Sequence, residues 1–456
     1  MKAVILATEN GAELGQKEIP KALVNVLGLT LLERNLYTLK RAGIDKFVIV
    51  TGYKAGLLKD LVKKKGLSSK FNLKLIKDED YKKGSAYSVL KARNHVDDRF
   101  LILPTDIVFD SSMINGLKER DGGLVVYIDS EPRYVDSRIS TDGKKRTETK
   151  QTKKPSADIG IFLCSKNIFP KIKNCIENGM TEWSDCINEF RKETKTNVRD
   201  VKGSFWYKIS TREGLKKVNW LLPERLCPCS ASPREKYKYL QEKHMWQKPA
   251  VFMGRYLASA GVTGNQVTLL GFMSLLLVAF FFSLGEHVYF IVGWIFLYLY
   301  HLFDWTDGLV ARLKFAESKY GEWLDPEAPF IGWVVMFFGM TVGVYKQDPR
   351  LLILIIGFLT IFGLLMTRYV SLRIKSIFGF DSTGALGMLT TAGETKWQGV
   401  GGKILRGYQR FGALASLFII LIGGIFNQMF YVLLYFLVTC NLWIPYLCAQ
   451  LVLLRP

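Results

Sequence analysis

A chain of 456 residues is too long for one ordinary domain, and its composition shifts near residue 230 from lysine-rich and mixed to strongly apolar. The net charge of +21 suits anionic headgroups, and with no nucleic-acid-reading motif beside it, nucleic acid is excluded as a partner. Seven cysteines without regular spacing exclude a disulfide framework and are expected to be reduced, Cys227 and Cys229 standing too close for an ordinary metal pair.

The opening MKAVILATENG lacks the features of a cleavable signal, and its apolar run reads as a strand. The first domain is therefore expected in the cytoplasm. KFVIVTG (46–52) and RFLILPTD (99–106) repeat the strand type. LLERNLYTLKRAGI (31–44) and SAYSVLKARNHV (85–96), between them, read as helices. DIGIFLCS (158–165) reads as another strand and REGLKKVNWLL (212–222) as a closing helix. Alternating strands and helices imply a mostly parallel sheet covered on both faces, so residues 1–226 are expected to form a Rossmann-like α/β domain. Lysines and arginines cluster within it, as in DGKKRTETKQTKKP (142–155).

Residues 227–261 read as a linker and then a basic amphipathic helix. It is expected to lie in the membrane interface, with Trp246, Phe252 and Tyr256 toward lipid and its lysines toward water. Residues 262–456 hold six apolar segments: Val267–Leu284, Val288–Phe303, Phe330–Tyr345, Leu351–Val370, Phe411–Phe426 and Met429–Leu454. Several reach only about 16 strictly apolar residues against the ~20 that span a bilayer, so the helices must extend into polar ends. Open sheet edges cannot stand in lipid. The expectation is an all-α domain of six transmembrane helices in the cell membrane, with membrane lipids as partners. Nine Lys and Arg on one set of loops face two, Lys346 and Arg350, on the other, which puts the 304–329 stretch on the cytoplasmic side.

That stretch, DWTDGLVARLKFAESKYGEWLDPEAPF, joins two apolar segments. Asp304 and Asp307 are three apart on one helix face, with Gly308 and Ala311 beside them. Asp325 opens the next span after Gly321. If the helices are neighbours, three carboxylates converge and repel unless a hard divalent cation sits between them. Small residues at 308 and 311 let a bulky ligand approach the backbone, and Arg312 can meet a phosphate.

These residues resemble the CDP-alcohol phosphotransferase family, whose pattern is D-x2-D-G-x2-A-R-x8-G-x3-D-x3-D. Asp304, Asp307, Gly308, Ala311, Arg312, Gly321 and Asp325 match it. VTGNQVTLLGF (262–272) resembles the family's T-P-N-x-x-T opening of its first membrane helix, with Asn265 in place and Gly264 for proline. The resemblance implies transfer of a phosphoalcohol group from a CDP-alcohol donor to an acceptor alcohol, with release of CMP. It also implies two divalent ions, Mg²⁺ or Mn²⁺, on Asp304, Asp307 and Asp325, and a homodimer. The departure is Pro329, where the family has its fourth aspartate, a metal ligand and presumed base. Glu322, one turn before Asp325, is the nearest substitute, while Glu327 points away on an ideal helix. A pseudoenzyme that binds metal and cytidine nucleotide without turnover is the alternative; a transporter is a third reading, though it expects carboxylates at the membrane midplane.

The first domain resembles sugar-phosphate nucleotidyltransferases, whose pattern is roughly L-A-A-G-x-G-x-R followed by P-K-x-L. Gly11, Pro20, Lys21, Leu23 and the family's metal-binding aspartate, Asp106, match. Glu9 and Glu13 stand where a glycine and an arginine are expected, and WYKIS (206–210) puts Lys208 and Ser210 into a W-x-D-V-D segment. Two carboxylates facing a triphosphate repel it, so this domain is expected to be a non-catalytic scaffold. The domain order is similar to that of bifunctional inositol-1-phosphate cytidylyltransferase/di-myo-inositol phosphate synthases of thermophiles.

Overall fold

Apolar runs become the inner strands of one sheet, and more polar segments form its edges. The strands are β1 (Lys2–Ala7), β2 (Lys46–Thr51), β3 (Asn72–Lys77), β4 (Arg99–Pro104), β5 (Val125–Asp129), β6 (Ala157–Ser165) and β7 (Asn197–Asp200). This is a computed structural model, and it describes residues 1–114, 124–129, 157–193, 197–202, 204–227, 246–378 and 416–453. The basic stretch 142–155 lies outside the described residues, as does most of the linker.

The sheet order is β7-β5-β6-β4-β1-β2-β3. β1 runs parallel to both neighbours, with Val4 opposite Val48 on one side and Ile102 on the other. β6 is antiparallel to β4 and β5, so the sheet is mixed on that side. Burial on both faces explains why the inner strands β1, β2, β4 and β5 read as continuous apolar runs, while the edge strand β3 alternates. Ile5, Leu36 and Phe47 belong to one core layer; Val4, Val48, Phe100 and Phe169 belong to the other. α1 (Leu31–Arg41) starts on a reciprocal cap. Thr30 Oγ1 accepts from the Glu33 amide at 3.2 Å, and Glu33 Oε2 accepts from the Thr30 amide at 2.9 Å.

The chain divides into two units, Met1–Leu222 and Pro223–Pro456. The boundary falls inside the helix Arg212–Leu226, at its internal proline. In the second unit follow α2 (Lys248–Ser259), α3 (Gly264–Leu284), α4 (His287–Leu313), α5 (Lys319–Gln347), α6 (Leu351–Phe378), α7 (Ser416–Ile425) and α8 (Met429–Leu453). Four of them, α3 to α6, are long and apolar enough to cross a membrane. α7 and α8 are further apolar helices, and residues 411–415 of the expected fifth span lie outside the described residues.

The aspartates lie on helices, as their spacing implied: α4 continues ten residues past Phe303, α5 begins at Lys319, and 314–318 connect them. One expectation needs correcting. Trp246 does not face outward with Phe252 and Tyr256. It is buried against Tyr298 and His301, with ring centroids 5.1 and 5.2 Å away, while Phe252 and Tyr256 are exposed.

α3 and α5 touch backbone to backbone. A Cβ at Gly343 would stand 1.9 Å from the Phe282 carbonyl oxygen, and one at Gly339 2.2 Å from that of Ala279. Small residues four apart let the two helices approach this closely. Pro326 and Pro329 lie inside α5, and the helix runs through both. Proline has no N–H, so the carbonyls of Glu322 and Asp325 receive no helical bond from these positions.

Candidate active site

The C-terminal end of α4 carries Asp304, Asp307, Gly308, Ala311 and Arg312, and the first turns of α5 carry Gly321, Glu322 and Asp325. The start of α3 joins them. Its cap is reciprocal, Thr263 Oγ1 accepting from the Gln266 amide and Gln266 Oε1 accepting from the Thr263 amide at 2.9 Å. That cap sets the register in which α3 meets α4. A Cβ at Gly264 would lie 2.9 Å from the Asp307 carbonyl oxygen and 3.0 Å from Ala311 Cβ, so glycine permits the close approach where the family pattern has proline. Asn265 Oδ1 lies 3.0 Å from where a Gly321 Cβ would be, which brings the α3 and α5 elements of the pattern together.

Asp307 is buried and doubly held. Thr268 Oγ1 donates to its Oδ2 at 2.7 Å, and the Gly308 amide donates to its Oδ1 at 2.5 Å. Tyr300, one turn before Asp304, holds its hydroxyl 3.5 Å from Asp304 Oδ1. Asp304, Asp307 and Asp325 act on one another electrostatically, and the charge of Arg312 acts on Asp325. Even so, among the described residues no three His, Cys, Asp or Glu side chains close around a point that could hold one ion. The expected convergence stops short of a coordination cluster. Like charges repel, and Asp307 is drawn to donors of its own. The donor set, all carboxylate oxygen, suits a hard divalent cation. Each Asp307 oxygen holds one hydrogen bond and keeps a lone pair free.

Arg312 Nε donates to the Leu226 carbonyl at 2.9 Å, and its guanidinium covers Gly308. Glu322 is exposed and makes no described contact with the three aspartates. Glu327 points away, as the helical period requires, and pairs with Arg368 of α6, whose guanidinium lies 5.8 Å from the Phe330 ring centre. The sequence missed Thr268 as a partner of Asp307. The only signal was its place in the T-P-N-x-x-T resemblance.

A second cluster lies in the first unit, after the carboxyl ends of the adjacent strands β1 and β4, where open α/β sheets take ligands. Lys21 Nζ lies 2.8 Å from Glu9 Oε2, 2.8 Å from Asp106 Oδ2 and 3.5 Å from Glu13 Oε2. Lys21 and Asp106 are buried, whereas the glutamates are about two-thirds exposed. Burial works against the ammonium, yet Asp106 and Glu9 outweigh it and hold the lysine above its ordinary pKa. Gly11 is needed by close approach, since a Cβ there would meet the Gln16 carbonyl oxygen at 2.6 Å.

Comparison with known proteins matches residues 3–188 to the MobA-like NTP transferase domain and residues 262–443 to the CDP-alcohol phosphatidyltransferase family. The "Bifunctional IPC transferase and DIPP synthase" of Archaeoglobus fulgidus is 27% identical over 394 residues, 85% of this chain and 74% of that protein. The "Archaetidylinositol phosphate synthase" of Pyrococcus horikoshii is 32% identical over 128 residues, 28% of this chain and 63% of that protein. The solved inositol-1-phosphate CTP transferase from T. maritima is 17% identical, with a TM-score of 0.39 over 48% of this chain and 96% of its own. The Archaeoglobus relative is called bifunctional and aligns across both units, so it lends no support to the expectation of an inactive first domain. The first unit therefore matches the MobA-like NTP transferase domain, and the second matches the CDP-alcohol phosphatidyltransferase family.

Proposed function

We propose that this protein transfers a phosphoalcohol group from a CDP-alcohol to the hydroxyl of an acceptor alcohol and releases CMP. What supports this reading is that Asp304 and Asp307 at the end of α4 and Asp325 at the start of α5 lie within electrostatic reach of one another, with Arg312 acting on Asp325 and Asn265 close to Gly321, inside the matched segment. The hydroxyl oxygen attacks the phosphorus that bears the alcohol, the bond from that phosphorus to the CMP oxygen breaks, and the hydroxyl proton leaves to a base. Asp304, Asp307 and Asp325 would hold Mg²⁺ or Mn²⁺, which would supply charge neutralisation at the diphosphate. Gly308 and Ala311 leave room for the donor, while Arg312 meets phosphate. α7 and α8 complete a six-helix membrane domain over 262–456, with the site at its cytoplasmic end. Purified full-length protein in detergent, given a panel of CDP-alcohols and acceptors, should release CMP with at least one pair only when Mg²⁺ or Mn²⁺ is present. No release with any pair removes the reading.

Pro329 favours a second reading, a protein that binds cytidine nucleotide without turnover, because α5 runs through this position with no side chain able to accept a proton. Tight CDP-alcohol binding with no CMP release across the panel selects it.

In the first unit, Glu9 and Glu13 compete with any triphosphate for Lys21. The double variant Glu9→Gln/Glu13→Gln should bind CTP about three- to tenfold more tightly, as expected from removing two exposed charges. Isothermal titration checks this, and unchanged affinity means that the glutamates do not face the nucleotide.

A further inference from the structure

We propose that Thr268 is a positioning residue for Asp307. Its hydroxyl fixes the rotamer of that carboxylate and so sets how tightly the site holds a divalent cation. The inference rests on the reading that the three aspartates are metal ligands.

A threonine inside a helix normally gives its hydroxyl proton to the carbonyl four residues earlier. Three others in the spans do so: Thr306 to Leu302 at 2.6 Å, Thr341 to Phe337 at 2.7 Å and Thr360 to Ile356 at 2.8 Å. Thr268 departs from the pattern. Its own carbonyl, that of Gly264, stands at 3.2 Å, while Asp307 Oδ2 on another helix stands at 2.7 Å. One hydroxyl has one proton, and the shorter, charge-assisted contact takes it. Both residues are buried, so water does not replace the bond easily.

The surroundings fit this role. The Gly308 amide holds the other oxygen at 2.5 Å, and the two donors together leave Asp307 little freedom to rotate. Each oxygen keeps a lone pair, so the carboxylate stays able to ligate. The reach across depends on Gly264, because a methyl there would press on the Asp307 carbonyl oxygen and Ala311 and drive α3 from α4. By contrast, among the described residues Asp304 has the hydroxyl of Tyr300, at 3.5 Å. Asp307 is thus the more firmly held of the two aspartates on α4, and Thr268 holds it from outside its own helix.

The test is Mn²⁺ affinity, read from the free-ion paramagnetic resonance signal with full-length protein in detergent and no substrate. Thr268→Val keeps the shape and removes the donor; Thr268→Ser keeps the donor. Loss of an outer partner typically costs a metal site 10–100-fold. The valine variant should weaken Mn²⁺ binding by about that factor, and the serine variant should stay within about threefold of wild type. Gly264→Ala keeps the hydroxyl but moves it away, and should weaken binding similarly; it decides the matter if the valine variant does not fold. Wild-type affinity in the valine variant, or in Gly264→Ala when it stands alone, overturns the proposal. So does a serine variant as weak as valine, which would make shape the cause. If wild type itself binds no Mn²⁺, the metal reading falls and this inference with it, an outcome distinct from the others.

Discussion

Asp307→Asn lowers CMP release by more than about a hundredfold while the helices stay folded. Asparagine matches aspartate in size, so packing at this buried position changes little, but the negative charge is gone. One amide oxygen cannot accept from both Thr268 and Gly308 as two carboxylate oxygens do. An NH₂ group then faces one of the two donors. Losing an outer partner of a metal site costs 10–100-fold, and losing a ligand should exceed that range. Asp304→Asn should also be severely impaired, with less disturbance of the local hydrogen bonds, since among the described residues its contact is the long one from Tyr300. CMP release and Mn²⁺ affinity, measured together, check both variants. Activity within threefold of wild type for Asp307→Asn removes this carboxylate from the site.

Pro329→Asp raises CMP release by about 10²–10⁴-fold, the usual contribution of a general base. Position 329 lies four residues after Asp325, a rise of ~6 Å on nearly the same face. Because α5 already runs through Pro329, the new residue needs no change of path. Proline is the worst residue for a helix interior, by about 3 kcal/mol relative to alanine, so its removal should favour the helix. The aspartate also returns an N–H that can bond the carbonyl of Asp325. If the variant folds and binds Mn²⁺ without gaining activity, a missing base at 329 is not what limits the reaction. Glu322→Gln then separates the remaining cases. Loss of activity identifies Glu322 as the base already at work, and no activity to lose identifies a binder.

The sheet and the long helices were legible because burial on both faces, or in lipid, leaves continuous apolar runs in the sequence. Exact helix ends were not: apolar counting stops at Phe303 and says only that the helix must extend into polar residues, while α4 runs on to Leu313, packed against α3 at Gly264. Trp246 was misread for a related reason: an aromatic residue in a basic stretch suits either an interface or a core, and only the neighbouring Tyr298 and His301 decide. The aspartates of the candidate site could be read from their spacing. Their partners could not, since Thr268 and Asp307 are 39 residues apart and Lys21 and Asp106 are 85 apart. The Lys21 cluster also changes the sense of Glu9 and Glu13. Read from the sequence as isolated charges, they are partners of the buried Lys21 in the structure.

The glycine contacts between α3 and α5 have a consequence for motion. Where backbone lies on backbone at Gly339 and Gly343, neither helix can slide past the other or rotate without a collision that no side-chain rearrangement relieves. The two helices therefore move as one lever, with Asn265 and Gly321 near the end of its arms.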